Sequence, residues 1–145
     1  GLGVNFIQNL IKQNFIKRIV NKKELSFDDN DIVKFIEDTI KEYANVGNVI
    51  IMGRASQCVL QKHPSVYHIK LVRDFEDRVS YMMKRGVTRD GAISTMERKD
   101  KERKHFIEKY YSQDWENPEL YHLYINLSKI SEDKGIKLIE ELISS

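Results

Sequence analysis

Val49-Ile-Ile-Met52 is the stretch around which the rest of this chain has to be arranged. Four apolar residues stand between Gly47-Asn48 and Gly53, and such a short apolar run bounded by turn residues reads as a buried strand. Ser56 to Gln61 can open a helix behind it, so the unit is strand, glycine turn, helix. In open α/β sheets ligands sit at the carboxyl ends of the strands. Arg54 in the turn would offer a planar fork to a phosphate or carboxylate there, or would simply extend into water from a strand end.

Helices and strands alternate on both sides of this unit. Val4 to Val20 carries apolar residues all along at helical spacing, which predicts a helix buried on more than one side. Ser26 to Asn30 reads as a polar connector. Asp31 to Ala44 is expected to form a helix with Ile32, Val33, Ile36, Ile40 and Tyr43 on one face, closed by Asn45 to Asn48. Lys62 to Ser65 is a loop, because Pro64 disfavours helix in the residue before it. Val66 to Val72 and Leu120 to Leu127 read as two more strands. Between them, Asp74 caps a helix running to Arg85 with Gly86 as its stop, and Thr88 starts a long charged helix to Tyr111. Ser131 caps a last amphipathic helix through Leu138, Ile139, Leu142 and Ile143. The expectation is one α/β domain over residues 1–145, with a parallel sheet of about three strands flanked by helices.

Composition narrows the function. The 145 residues are 41% apolar and 32% charged, with a net charge of +2, too mild to imply nucleic acid. A single cysteine, Cys58, excludes an internal disulfide and suits a reducing compartment. No apolar run approaches the ~18 residues a membrane helix needs, so a cytoplasmic protein is expected. There is no Cys/His set with zinc spacing, no His-Glu-x-x-His and no Gly-x-Ser-x-Gly. His68 and His122 fall within strands and read as structural. Tyr110, Tyr111 and Trp115 read as core aromatics rather than a base-stacking platform.

The informative segment is the long helix. Residues 98 to 109 hold six Lys or Arg against three Asp or Glu, which by itself suits a solvated face of i,i+4 pairs. Ile93, Met96, Asp100, Arg103, Ile107 and Tyr110, however, step by three and four, the pattern of an inward stripe. Asp100 and Arg103 interrupt that stripe with an acid and a base. Polar groups facing inward need partners, so these two pair with each other or face a ligand.

Gly53-Arg54, then a strand, then Asp74-Phe-Glu-Asp-Arg78, then Glu97-Arg98-Lys-Asp100-Lys-Glu102-Arg103, then a strand ending at Asn126, resembles the later part of bacterial cytidylate kinase. The order is closer still to the cytidylate-kinase-like family, with Asp114-Trp115, Pro118 and Tyr121 as a further shared stretch. These motifs cover about Asn48 to Leu142. The resemblance implies a P-loop nucleoside monophosphate kinase fold with a helical lid over about residues 86–112, and ATP-to-CMP or dCMP phosphoryl transfer with ATP and Mg2+ as cofactors. It assigns Arg98, Asp100 and Arg103 to the mobile lid over the phosphates. Arg78 falls near the donor adenine, and Arg54, Ser56, Glu102 and His105 to the substrate nucleotide. Such a lid suits phosphoryl transfer, which is mostly positioning plus cationic stabilisation of charge.

The chain departs from the cytidylate kinase pattern at three places. Ala55 stands where cytidylate kinases have Asp, and Glu102 and His105 replace Asp and Arg of the lid. Nor does Gly-x-x-x-x-Gly-Lys-Ser/Thr occur anywhere among the seven scattered glycines, so nothing in the chain is expected to cradle the ATP β- and γ-phosphates. The chain therefore reads as the acceptor-binding and lid part of such a phosphotransferase, inactive alone; a non-catalytic relative that binds a nucleotide or a protein is the alternative. Nucleic-acid binding is disfavoured by the balanced charge. In the family the P-loop strand lies between those matched by Val49–Met52 and Val66–Val72. The sequence therefore predicts either direct pairing of the two or association into a homo-oligomer. The two lines of reasoning disagree about the lid: Arg98, Glu102 and His105 share one helix face, Asp100 and Arg103 another, and a helix break near Lys99 would reconcile them.

Overall fold

A computed structural model describes residues 29–144, so the helix expected over Val4 to Val20 lies outside the described residues. The chain divides into two compact units, residues 1–60 and 61–145.

In the first unit, helix α1 (Asp29–Val46) buries Val33, Thr39 and Ile40 and packs against the short helix α2 (Ser56–Val59). Helix α1 begins inside the expected connector, because Asp29 and Asp31 favour the positive end of the helix dipole. It ends as anticipated: Gly47 N donates to the Tyr43 carbonyl at 3.2 Å, and Gly47 takes a left-handed φ of 74°. The expected strand at Val49–Met52 is not formed. The segment belongs to no sheet, and Val49, Ile50 and Met52 are exposed. An apolar run becomes a strand only where another strand takes up its N–H and C=O groups. Here Gly47 and Asn48 on one side, and Gly53, Arg54 and Ala55 on the other, all have positive φ, so the chain turns at both ends.

The second unit holds the two-stranded sheet. Strands β1 (Ile69–Val72) and β2 (Leu123–Asn126) pair in parallel, with Ile69 opposite Leu123 and Val72 opposite Asn126. Both are shorter than the apolar runs suggest. Residues 66–68 fall before the first strand and residues 120–122 before the second, Leu120 being taken up instead by the 3-10 turn Pro118–Leu120. A parallel pair needs a long crossover, supplied here by helices α3 (Phe75–Met83) and α4 (Arg89–Tyr111). Val79 of α3 packs with Ala92 and Met96 of α4 as the core between them. Thr88 caps α4 by accepting from Gly91 N at 3.3 Å, and Gly86 makes the turn before it at φ 85°. Helix α5 (Glu132–Ser144) follows β2 and is capped by Ser131, whose Oγ accepts from Lys134 N. Asp74 ties the strand ends together. Its carboxylate accepts from Asn126 Nδ2 at 3.1 Å and Lys129 Nζ at 2.9 Å. The result is a mixed α/β structure whose sheet has two strands among the described residues, not about three. No helix among them is long and apolar enough to cross a membrane.

Candidate functional site

Helix α4 runs unbroken from Arg89 to Tyr111, so no break at Lys99 separates its two polar faces. On one face Arg98 and Lys99 both reach Glu102, at 2.7 and 3.3 Å, all half exposed, and these contacts hold the Glu102 carboxyl below the usual range. His105 is exposed further along the helix. This is the solvated face of i,i+3 and i,i+4 pairs that a charge run ordinarily forms.

The other face carries the convergence. Asp100 is bracketed by two arginines: Arg78 of α3 donates to its Oδ2 at 2.7 Å and Arg103 to its Oδ1 at 2.9 Å. Asp100 and Arg78 are partly buried, while the Arg103 side chain remains 54% exposed. Arg103 thus stands at the rim of the inward stripe, because a long side chain carries its charged head out to water. Each guanidinium has five N–H donors, so one contact with Asp100 leaves others free to meet a ligand oxygen. The carboxylate serves as a spacer that holds two cations side by side.

Both arginines line a cleft of about 600 Å³ within the second unit, together with Arg73, Lys99 and Glu132. Its remaining wall is largely apolar: Leu71, Tyr81, Met82, Met96, Leu127, Ile136 and Ile139, with Thr95 and Gly135. On α4 the spacing of Thr95, Lys99 and Arg103 by four brings them to one side. On β1 alternation does the sorting. His68 and Lys70 are buried on one face of the chain as it enters and follows the strand, and Leu71 is left exposed toward the cleft. Arg73 is paired with Glu132 and lies over the Tyr81 ring at 4.9 Å, with Arg85 at 3.6 Å.

Sequence reasoning missed Lys70, Arg73, Lys99 and Trp115. Lys70 Nζ sits 3.5 Å from the centre of the Trp115 ring and donates to the Trp115 carbonyl at 3.3 Å. The Tyr121 hydroxyl donates to the same carbonyl at 3.0 Å. Burial lowers the Lys70 amine to about 8; Glu116 opposes the shift and the nearby Arg103 charge adds to it. Arg103 lies 6.0 Å from the same indole, so Trp115 is not a simple core aromatic but has two cations within reach of its ring. The signal was the cation at position 70 inside an apolar strand, which alternation alone could have placed inward. Tyr110 and Tyr111 do pack as expected, against Phe106.

Arg54 and Ser56 belong to the first unit, where Arg54 is exposed with φ 60° and Ser56 N donates to the Gly53 carbonyl at 3.2 Å. No group of three or more His, Cys, Asp or Glu that could hold a metal is present among the described residues. Asp100 is already committed to two arginines.

A cytidylate kinase-like family model matches residues 4–129. The chain belongs to the cytidylate kinase-like family. The match reaches further toward the N-terminus than the motifs that suggested it, which begin at Asn48, so the first unit is part of the family pattern too. The fold of this family member is similar to the crystal structure of an uncharacterized protein from Eubacterium ventriosum. The TM-score is 0.74 at 26% identity, covering 81% of this chain and 75% of that one. No curated protein matches the chain.

Proposed function

We propose that this kinase-like protein binds the phosphate of a nucleotide in the cleft of the second unit, with Arg78 and Arg103 as the grip and Asp100 as the positioning residue between them. The observation that carries this reading is the bracketing of one carboxylate by two arginines from different helices at the edge of a cleft. Two guanidiniums fixed at close range suit a phosphoryl group, which accepts several hydrogen bonds at once. Lys99, at the border of the two faces of α4 with its amine on Glu102, adds a third cation to the lining. ATP and Mg2+ enter through family membership. The arginines suit the phosphates, whereas magnesium would have to rely on phosphate oxygens and water, as it commonly does. Arg54 and Ser56 stay with the acceptor nucleotide by resemblance alone.

A second reading is favoured by one sequence fact. No Gly-x-x-x-x-Gly-Lys-Ser/Thr occurs in the chain, which supports binding without turnover. Calorimetric titration of pyrophosphate in low salt tests the grip. Arg78→Gln is expected to weaken binding roughly tenfold, the worth of one charge-assisted contact of about 1.5 kcal/mol. Unchanged affinity in Arg78→Gln would reject it.

A further inference from the structure

Of the two arginines in the grip, Arg103 is the less firmly held. Arg78 meets Asp100 from a different helix with its side chain 32% exposed, whereas Arg103 is 54% exposed and its pair with Asp100 is a local i,i+3 one. Such a pair in water is screened and must order a long side chain, so alone it does little to fix a guanidinium. A second group is in range. The centre of the Trp115 ring lies 6.0 Å from the Arg103 guanidinium carbon, within the distance at which an aromatic face attracts a cation. The indole is in turn fastened to the sheet. The Trp115 carbonyl accepts from Lys70 Nζ at 3.3 Å and from the Tyr121 hydroxyl at 3.0 Å, and Lys70, 8% exposed, stands 3.5 Å from the ring centre. The Asp114 carboxylate accepts from Glu116 N at 2.9 Å and Asn117 N donates to the Asp114 carbonyl at 3.1 Å, so the loop that carries the ring is closed on itself. Burial lowers the Lys70 amine to about 8 and the Arg103 charge adds to the shift, so the two cations sense each other.

Resting on the phosphate grip proposed above, we infer that Trp115 is a positioning residue for Arg103, an indole fastened to the sheet that holds the second guanidinium of the grip at the edge of the cleft. The ring attracts the guanidinium, Asp100 holds one of its N–H groups, and the Lys70 charge opposes any closer approach to the ring. Arg103 is thereby confined while N–H donors remain for a ligand oxygen. Ordering a binding side chain beforehand raises affinity, because less freedom is lost when the ligand arrives. Trp115 acts through Arg103 and not on the ligand.

The test is calorimetric titration of the whole chain with pyrophosphate in low salt, for the wild type, Trp115→Leu, Trp115→Phe, Arg103→Ala and the double variant Arg103→Ala with Trp115→Leu. Trp115→Leu is expected to weaken binding about two- to fivefold, the range of one exposed cation–aromatic contact. Trp115→Phe, which keeps a ring face, should recover most of that loss. In the Arg103→Ala background Trp115→Leu should cost nothing further, a non-additivity that a purely structural role would not produce. The chain has one tryptophan, so its emission reports this indole. Pyrophosphate should change the emission of the wild type at the calorimetric midpoint and leave that of Arg103→Ala unchanged at saturation. No loss in Trp115→Leu, an equal loss in both backgrounds, or emission that ignores bound pyrophosphate or responds equally in Arg103→Ala would overturn the inference and leave the grip standing. The emission measurement needs no change at Trp115, and so decides the matter where Trp115→Leu lacks native circular dichroism. Failure of pyrophosphate to bind the wild type would overturn the grip, and this inference with it.

Discussion

Arg103 and Lys104 are neighbours on α4 with opposite surroundings. Arg103 shares Asp100 with Arg78 and lines the cleft, whereas Lys104 reaches only toward Glu108 at 3.9 Å on the solvated side. Arg103→Ala is expected to weaken pyrophosphate binding about tenfold, and Lys104→Ala to cost less than twofold, since a solvated lysine contributes only screened attraction. Equal affinities of both variants and the wild type would remove Arg103 from the site. If Arg103 merely pairs with Asp100, its loss lowers the melting temperature and leaves the affinity intact. Lys70 gives the residue scale a pH signature. Burial lowers its amine from 10.5 to about 8, so the folded protein sheds this proton before the unfolded chain does. Below about pH 8 the cost of burying the charge is present in full. Between there and about 10.5 the unfolded chain holds the extra proton, and stability rises with pH. Urea titrations at pH 7, 8, 9 and 10 should show wild type gaining on Lys70→Met across that window. A difference independent of pH would mean that the amine does not titrate there.

Helix α4 is the element on which the site depends, since it carries Lys99, Asp100 and Arg103 and closes the core with Met96. Its polar stripe can stand at a cleft because Val79, Ala92 and Met96 anchor it to α3 one turn earlier. Met96→Ala should therefore destabilise the fold by about 2–5 kcal/mol, through lost burial and the cavity left behind. Thr88→Ala should cost about 1 kcal/mol, because the freed Gly91 N–H loses its cap. Chemical denaturation of both variants measures these effects. A Thr88→Ala loss near zero would show that water replaces the hydroxyl without cost. Helix α5 meets the sheet closely at Gly135, where a Cβ would come within 3.2 Å of Leu127. That close approach helps bring Ile136 and Ile139 to the cleft.

For the whole molecule, the expected outcome is a protein that binds phosphate and does not turn over. Purified chain given ATP, CMP and magnesium should form no CDP above a mock preparation, because no phosphate-cradling loop occurs in its sequence; magnesium-dependent CDP formation would show otherwise. What the sequence determined on its own is local. Thr88 and Ser131 as helix caps, Gly86 as a stop and a charged helix from Thr88 to Tyr111 all follow from backbone groups and side chains a few residues apart, whereas the absence of a break at Lys99 was decided by the structure. The order of its motifs also identified the family. What only the tertiary structure decided depends on partners distant in the chain. Val49–Met52 has the composition of a strand and, among the described residues, has no neighbouring strand to make it one. Asp100 needed Arg78, twenty-two positions away, to become the centre of a pair of arginines. Lys70 needed Trp115, forty-five positions away, to become a buried cation. Composition sets what a segment can do at short range, whereas hydrogen-bond partners and burial are supplied by residues that meet only when the chain folds.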